Sequence, residues 1–232
     1  MLVLAIETAT HHSSVVVTDG ERELAAWREV TRQDLCQRLA AEVGETLLGA
    51  GRGFGDLQLV AVGLGPGSFT SVRIGMATAK GMAFARGIPL VGIPSLRAMA
   101  WRVRHDVSGL VCPATDAKRG ELYTALYRVQ GDHVEQVEKE SVTTAADLTA
   151  RLSSHRVPIT IVGERSSLAD EDVARFGDMM WPEDVWPDAA AVADLGARRY
   201  NQAGEDVVGP LRPIYVRMSY AEESRKLDLG LR

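Results

Sequence analysis

The most informative run in this chain is Gly63-Leu64-Gly65-Pro66-Gly67-Ser68-Phe69-Thr70-Ser71-Val72-Arg73-Ile74-Gly75. The apolar residues 59–62 before it are typical of a buried strand, and residues 71–86 predict a helix. Pro66 sets φ for a tight turn, and Gly67 can take the positive φ that such a turn often requires next. We therefore expect a unit of strand, tight glycine turn and helix.

Two interpretations of this turn stay open from the residues alone. Ser68 or Thr70 can cap the helix, and the unit is then a well-made turn between a strand and a helix. Alternatively, bare N–H groups near Gly65, Gly67 and Ser68 can hold an anion such as a phosphate, with Arg73 as an added cation. The spacing matches neither the P-loop nor the dinucleotide-binding glycine motif, so no phosphate motif supports the second interpretation.

The predicted helix at 71–86 is unusually rich in small residues. A glycine inside a helix costs about 1 kcal/mol relative to alanine, and this cost is tolerated where another backbone must come close. By the i, i+3, i+4 rule, one face of the helix holds Ile74, Ala77, Thr78, Gly81 and Ala85. We therefore expect a second helix packed tightly on this face, either from this chain or from a partner.

The composition is that of an ordinary globular protein of 232 residues, with 46% hydrophobic and 25% charged residues. The net charge of -5, without a long Lys/Arg cluster, argues against strong nucleic-acid binding by this chain alone. Cys36 and Cys112 form no C-x-x-C pair, which favours a reducing cytoplasm. The sequence has neither a signal peptide nor an apolar run of about 20 residues, so no membrane association is expected.

Local patterns predict secondary structure along most of the chain. The predicted strands are 1–6, 14–18, 21–30, 59–62, 89–93, 110–114, 122–129, 134–137 and 158–162. The predicted helices are 34–50, 71–86, 95–104, 145–152 and 187–201, and residues 166–186 receive no assignment. Because the second half echoes the strand-then-helix order of the first, we expect two lobes, 1–106 and 107–232, with the late helix packing back on the first lobe.

The helix predicted at 34–50 carries one apolar stripe at four-residue spacing, formed by Leu35, Leu39, Val43 and Leu47. Such a stripe is usually part of a protein's own core, and burial by a partner is the alternative.

Few side chains suggest chemistry. Glu7 ends a buried strand, where a carboxylate can hold a metal or activate water. His11 and His12 are adjacent, so on an extended chain they point in opposite directions and suit one metal poorly. The loop 116–121 concentrates charge, and it is either a polar contact surface or a solvated turn with Gly120 at positive φ.

Four stretches together resemble the TsaB family, also called YeaZ. They are residues 4–10, 65–75, 116–123 and 213–217, and the Gly-Pro-Gly-Ser-Phe-Thr run at 65–70 is the most specific. The family's usual Gly-Leu-Arg reads Ser71-Val72-Arg73 here. The resemblance implies a two-lobed α/β fold of the actin and Hsp70 class (ASKHA, ribonuclease H-like), with mixed sheets and flanking helices.

The resemblance also implies a function. It indicates a non-catalytic cytoplasmic subunit that supports TsaD, with TsaE, in making threonylcarbamoyladenosine at position 37 of tRNA. TsaD then carries out the transfer and holds the metal, and this chain meets tRNA only through the complex. The first two helices pair with TsaD, or with a second copy in isolation. The implied partner-binding residues are Leu35, Leu39, Val43, Leu47, Thr70, Arg73, Ile74, Ala77, Thr78 and Gly81.

The alternative is an independent ATPase or kinase of the actin-like fold. Its candidate nucleotide or anion contacts are Glu7, Gly65, Gly67 and Ser68. In that fold the first loop is usually Asp-x-Gly followed by Thr or Ser, whereas here Glu7 replaces Asp and no glycine occurs between Thr8 and Gly20. The backbone therefore has less freedom to approach a phosphate. A nucleotide held at a subunit junction for regulation is a third option, and no other cofactor or metal is expected in this chain.

Overall fold

The computed structural model describes residues 1–20, 22–30, 34–155, 157–165, 168–181, 183–206 and 208–217. Glu21, predicted to begin the third strand, and residues 218–232 lie outside the described residues. Within them the chain forms two mixed β-sheets with helices on both faces of each sheet.

The first sheet contains five strands in the order β3-β2-β1-β4-β5. Its strands are β1 (Leu2–Glu7), β2 (His12–Asp19), β3 (Arg22–Val30), β4 (Leu59–Gly63) and β5 (Leu90–Ile93). The central strand β1 is antiparallel to β2 and parallel to β4. All six residues of β1 are buried, which explains why its sequence is apolar without alternation.

The second sheet repeats this plan with four strands in the order β8-β7-β6-β9. They are β6 (Gly109–Asp116), β7 (Glu121–Gln130), β8 (His133–Thr144) and β9 (Ile159–Val162). The predicted strands are confirmed here, but β8 is much longer than predicted. It pairs with β7 along its whole length through an irregular register, so its weakly patterned second half is held by the ladder.

In the part of the chain that the structure describes, six α-helices cover the sheets: α1 (Leu35–Gly49), α2 (Phe69–Arg86), α3 (Ser95–Arg102), α4 (Ala145–Leu152), α5 (Asp170–Phe176) and α6 (Ala189–Ala203). One apolar cluster joins the first sheet to α1 and α2, and another joins the second sheet to α4 and α5. A third cluster contains α3 and α6 together with side chains from both sheets. The layers are therefore helices, sheet, helices, sheet, helices.

The late helix α6 packs across β4, β1 and β2 of the first sheet. At its start, the Ala189 N–H donates to Ser14 Oγ at 2.9 Å. A Cβ built at Gly196 would lie 2.7 Å from the Ala61 Cβ, so the glycine allows close contact with β4. The division of the chain at residue 106 stays a prediction.

Among the described residues, no helix has the length and apolar character needed to cross a membrane.

Candidate functional site

The glycine turn joins β4 to α2 as predicted, but the position of its positive-φ glycine was predicted wrongly. Gly65 takes the positive φ of 80°, and Gly67 does not have a positive φ. A Cβ at Gly67 would lie 2.0 Å from the carbonyl oxygen of Ala9, so this glycine is needed for close approach of the first loop. Ser68 caps α2 by accepting a hydrogen bond from the Ser71 N–H at 3.4 Å. The helix consequently begins at Phe69, two residues earlier than predicted.

The N–H groups of this turn are largely used within the chain. The Gly65 N–H donates to Ser95 Oγ at 3.1 Å. The Ser68 N–H donates to the Ala9 carbonyl at 2.7 Å. The interpretation of Gly65 as an anion contact is therefore corrected, because its donor already has a buried partner. Gly67 and the side chain of Ser68 do line a cleft.

Glu7 is fully buried beside the same turn. Its carboxylate accepts hydrogen bonds from the Ala9 N–H and from Ser95 Oγ, each at 2.7 Å. A Cβ at Gly63 would lie 2.1 Å from Glu7 Oε2, so that glycine makes room for the carboxylate. Burial raises the pKa of Glu7 to about 7, against the lowering effect of these hydrogen bonds. The interpretation of Glu7 as a nucleotide or anion contact is corrected: it ties β1 to the start of α3.

A cleft of about 720 Å³ lies between the two halves of the molecule. The charged loop 116–121 contributes Asp116, Ala117, Lys118 and Arg119 to its wall. Lys118, Arg119 and Gly120 all have positive φ, between 58° and 73°, and only the glycine was predicted to. Holding a non-glycine residue there costs on the order of 1–3 kcal/mol, so contacts must fix the loop. One such contact is Asp116 Oδ1, which accepts from the Lys118 N–H at 2.6 Å.

The segment 213–217 closes the cleft against the start of α2, and Tyr215 docks it as predicted. Arg73 Nε donates to Tyr215 Oη at 2.7 Å. The Arg73 guanidinium also lies 3.7 Å from the centre of the Phe69 ring, which contacts Tyr215. Arg73 is therefore already engaged, which weakens its role as a cation for an anion in the turn.

Two histidines and one glutamate meet at the edge of the cleft. His11 Nε2 lies 3.2 Å from the Glu164 carboxylate, and His12 Nε2 lies 3.1 Å from it. The prediction that the two imidazoles point in opposite directions is wrong, because His11 lies in a bend before β2 and strand alternation does not apply. No sequence signal links either histidine to Glu164, which follows β9 in the other half of the chain.

The apolar stripe of α1 belongs to the subunit's own core. Leu35, Leu39, Val43 and Leu47 are at most 3% exposed and pack against the first sheet. The expectation that a partner buries these four side chains is therefore corrected. Leu48, one position after the stripe, is 69% exposed, and the stripe pattern did not predict its exposure.

Helix α2 presents a different surface, its outer face, formed by Thr70, Arg73, Ala77, Gly81 and Phe84. These five residues are all exposed, and Phe84 is 83% exposed. They follow one another at intervals of three or four residues and so share one side of the helix. A Cβ built at Gly81 would meet nothing within 4 Å among the described residues.

Two other positions of the predicted small face of α2 turn partly inward, whereas Ala85 is exposed. Ile74 and Thr78 are half-buried, and Ile74 packs against the cluster that contains the α1 stripe. The predicted second helix is therefore α1 on this side of α2. Phe84 was missed, although its position three residues after Gly81 was a usable signal.

Comparison with known proteins decides the family. The family model described as "TsaD: tRNA N6-adenosine threonylcarbamoyltransferase" matches residues 29–185. The TsaB protein of Bacillus subtilis strain 168 is 30% identical over 226 residues, which cover 96% of each chain. The chain belongs to the TsaB family. The family's Escherichia coli K12 member is also 30% identical, over 95% of this chain and 96% of its own. Both relatives are described as tRNA threonylcarbamoyladenosine biosynthesis proteins.

Solved structures support the same fold. A Pseudomonas aeruginosa protein described as similar to peptidase YeaZ superposes with a TM-score of 0.81 and 25% identity, over 93% of this chain and 99% of its own. YeaZ from the same organism gives 0.73 at 24% identity, over 92% and 99% of the two chains. The ethanolamine utilization protein EutJ from Carboxydothermus hydrogenoformans gives 0.50 at 13% identity, over 84% and 90%. The predicted actin-like α/β fold is confirmed.

Proposed function

We propose that this chain is a non-catalytic subunit that binds a TsaD-type threonylcarbamoyltransferase through α1 and α2. By holding that enzyme in its active arrangement, with TsaE, it supports the transfer of a threonylcarbamoyl group to adenosine 37 of tRNA. The observation that carries the proposal is the outer face of α2, which is exposed and has the small residues Ala77 and Gly81 at its centre.

The outer face of α2 has the properties of a helix-docking surface. Small residues at Ala77 and Gly81 let a second helix come close. The exposed side chains of Phe84 on α2 and Leu48 on α1 supply apolar area on these two helices. Clustered exposed apolar side chains mark interaction sites on a soluble domain. Exposed aromatic side chains are frequent energetic anchors once an interface covers them.

The similarity to the TsaD family model indicates what kind of partner fits this surface. The matched range, 29–185, contains both α1 and α2. A partner of the same fold presents equivalent helices, so the two subunits can meet around an approximate twofold axis, as related chains commonly do. In isolation, the same symmetry lets two copies of this chain pair through the same surface.

The non-catalytic role is supported by what the turn and the first strand already do. Glu7 occupies the position of the acid in actin-like enzymes. Its carboxylate is buried against Gly63, and both of its oxygens accept hydrogen bonds from within the chain. The Gly65 N–H is occupied by Ser95. These groups stabilise the lobe and are not presented to a nucleotide in the cleft.

The proposal is tested by placing a bulky side chain on the outer face. A Cβ at Gly81 would meet no described atom within 4 Å, and leucine favours a helix by about 1 kcal/mol over glycine. We expect a variant at least as stable as the parent that no longer forms a complex with TsaD on size-exclusion chromatography with light scattering. Threonylcarbamoylation of tRNA by the mixed proteins should fall with it.

Ala150→Leu is the matched control, because it places the same leucine side chain at an exposed position of α4 in the other half of the molecule. It should leave both complex formation and tRNA modification unchanged. A Gly81→Leu variant that still binds TsaD with parental affinity overturns the proposed surface. Threonylcarbamoyl transfer by the purified chain alone overturns the non-catalytic role.

A further inference from the structure

His11, His12 and Glu164 form a compact donor cluster where the two halves of the molecule meet. His11 Nε2 lies 3.2 Å from each oxygen of the Glu164 carboxylate, and His12 Nε2 lies 3.1 Å from Oε1. One ligand atom from each residue can be chosen so that all lie within 4.8 Å of one another. His12 is the first residue of β2, His11 directly precedes it, and Glu164 follows β9, so the cluster bridges the two sheets.

We propose that these three residues bind a divalent metal ion of the zinc class, and that the ion joins the two lobes across the edge of the cleft. Nothing in the proposed partner-binding role requires this site, and it stands on separate residues.

The donor set and its spacing suit zinc. Zinc takes imidazole nitrogen at about 2.0–2.1 Å and carboxylate oxygen at about 2.0–2.2 Å, usually in tetrahedral geometry. Those bond lengths place neighbouring ligand atoms about 3.3–3.5 Å apart. The observed separations of 3.1 and 3.2 Å between imidazole nitrogen and carboxylate oxygen are close to this value, so small side-chain rotations suffice. Two imidazoles with one carboxylate are also a common ligand combination for zinc.

The ring of His12 is held in place by its surroundings. It stacks on the Trp186 indole with ring centres 4.2 Å apart and an angle of 13° between the planes. Arg102 covers that indole at 4.9 Å and donates to the Trp186 carbonyl at 2.7 Å. A ligand whose orientation is already fixed loses less conformational freedom when a metal binds, which favours affinity.

Three protein ligands leave a fourth position for water or for a ligand in the cleft. Both His11 and Glu164 line the cleft, so this position faces the space between the lobes. The same ion can therefore fix the relative position of the lobes and offer a Lewis-acidic contact to an anionic group there.

The test is a zinc titration of the full chain by isothermal calorimetry after treatment with a chelator. We expect one zinc ion per chain. His11→Ala, His12→Ala and Glu164→Gln should each weaken binding by at least about 10-fold, since loss of even an outer-shell partner costs about 10- to 100-fold. His155→Ala is the matched control: His155 also faces a glutamate, Glu138, at 3.4 Å, but without a second histidine. It should bind zinc like the parent.

Melting temperatures with zinc and absorption spectra with cobalt test whether the metal binds at this cluster or at a cysteine. Zinc should raise the melting temperature of the parent and of Cys36→Ser, whose exposed thiol is removed, but not of His11→Ala. Cobalt bound to the same site should give visible d–d absorption without a thiolate charge-transfer band. The proposal is overturned if the parent binds no zinc, if zinc binding persists in all three ligand variants, or if it depends on Cys36.

Discussion

The inner and outer faces of α2 both carry glycine, but the two glycines differ in what surrounds them. On the inner side, a Cβ at Gly75 would lie 2.3 Å from Thr8 Oγ1, and in the preceding turn a Cβ at Gly67 would meet the Ala9 backbone. On the outer side, a Cβ at Gly81 would meet no described atom within 4 Å. A glycine that its own fold requires is explained by packing. A helical glycine that its own fold does not require points to a surface used by another molecule.

The apolar residues of α1 divide in the same way. The stripe from Leu35 to Leu47 packs against the first sheet and is buried, whereas Leu48 is 69% exposed. The strong apolar periodicity of α1 therefore indicates core residues. The proposed interface has weaker sequence signals, namely small residues and two exposed apolar side chains.

The difference between buried and outer glycines is tested most directly by replacing one glycine of each kind with alanine. Gly67→Ala places a methyl group 2.0 Å from a backbone oxygen that already accepts the Ser68 N–H. We expect it to lower the free energy of unfolding by about 3 kcal/mol. Gly81→Ala, which clashes with nothing described, should raise it by close to 1 kcal/mol. Urea denaturation of both variants measures the two signs. Equal effects at the two positions would contradict the division into inner and outer glycines.

The buried Glu7 carboxyl predicts that the free energy of unfolding depends on pH. Burial raises the pKa of Glu7 to about 7 from the usual 4.5, so between these values the folded chain keeps a proton that the unfolded chain releases. The unfolded state therefore gains stability as the pH rises. Between pH 5 and pH 8, Glu7 should reduce the free energy of unfolding by about 2–3 kcal/mol.

Glu7→Gln removes this titration while keeping a carbonyl acceptor for the Ala9 N–H. Its free energy of unfolding should change less between pH 5 and pH 8 than that of the parent, by the same about 2–3 kcal/mol. Denaturation curves at the two pH values give the difference directly. Parallel loss of stability in both proteins would show that the Glu7 carboxyl ionises normally in the folded chain.

The smallest effect on stability is expected on the outer face itself. Phe84→Ala should change the free energy of unfolding by less than about 0.5 kcal/mol, because the ring is 83% exposed. It should nevertheless weaken TsaD binding by about 10-fold or more, as truncation of an aromatic anchor does. Val157→Ala truncates an exposed apolar side chain in the other half and should alter neither quantity. Unchanged affinity of Phe84→Ala, measured by calorimetry, would remove Phe84 from the interface.

The sequence by itself determined the elements and the family. Apolar runs and turn residues placed the strands of both sheets, and the helix predicted at 145–152 matches α4. The Gly-Pro-Gly-Ser-Phe-Thr run at 65–70 is the most specific of the four stretches that together indicate the TsaB family. These features are local, because hydrophobic period, turn chemistry and motif spacing are properties of neighbouring residues.

Only the tertiary structure decided which groups are hidden and which meet. In the folded chain the α1 stripe faces the core, and the Glu7 carboxylate is buried against Gly63. His11 and His12 contact Glu164, which lies about 150 residues away in the sequence. Each of these results depends on how two sheets and their helices pack against one another. Pairings between distant residues follow from that packing, and no local pattern in the chain records them.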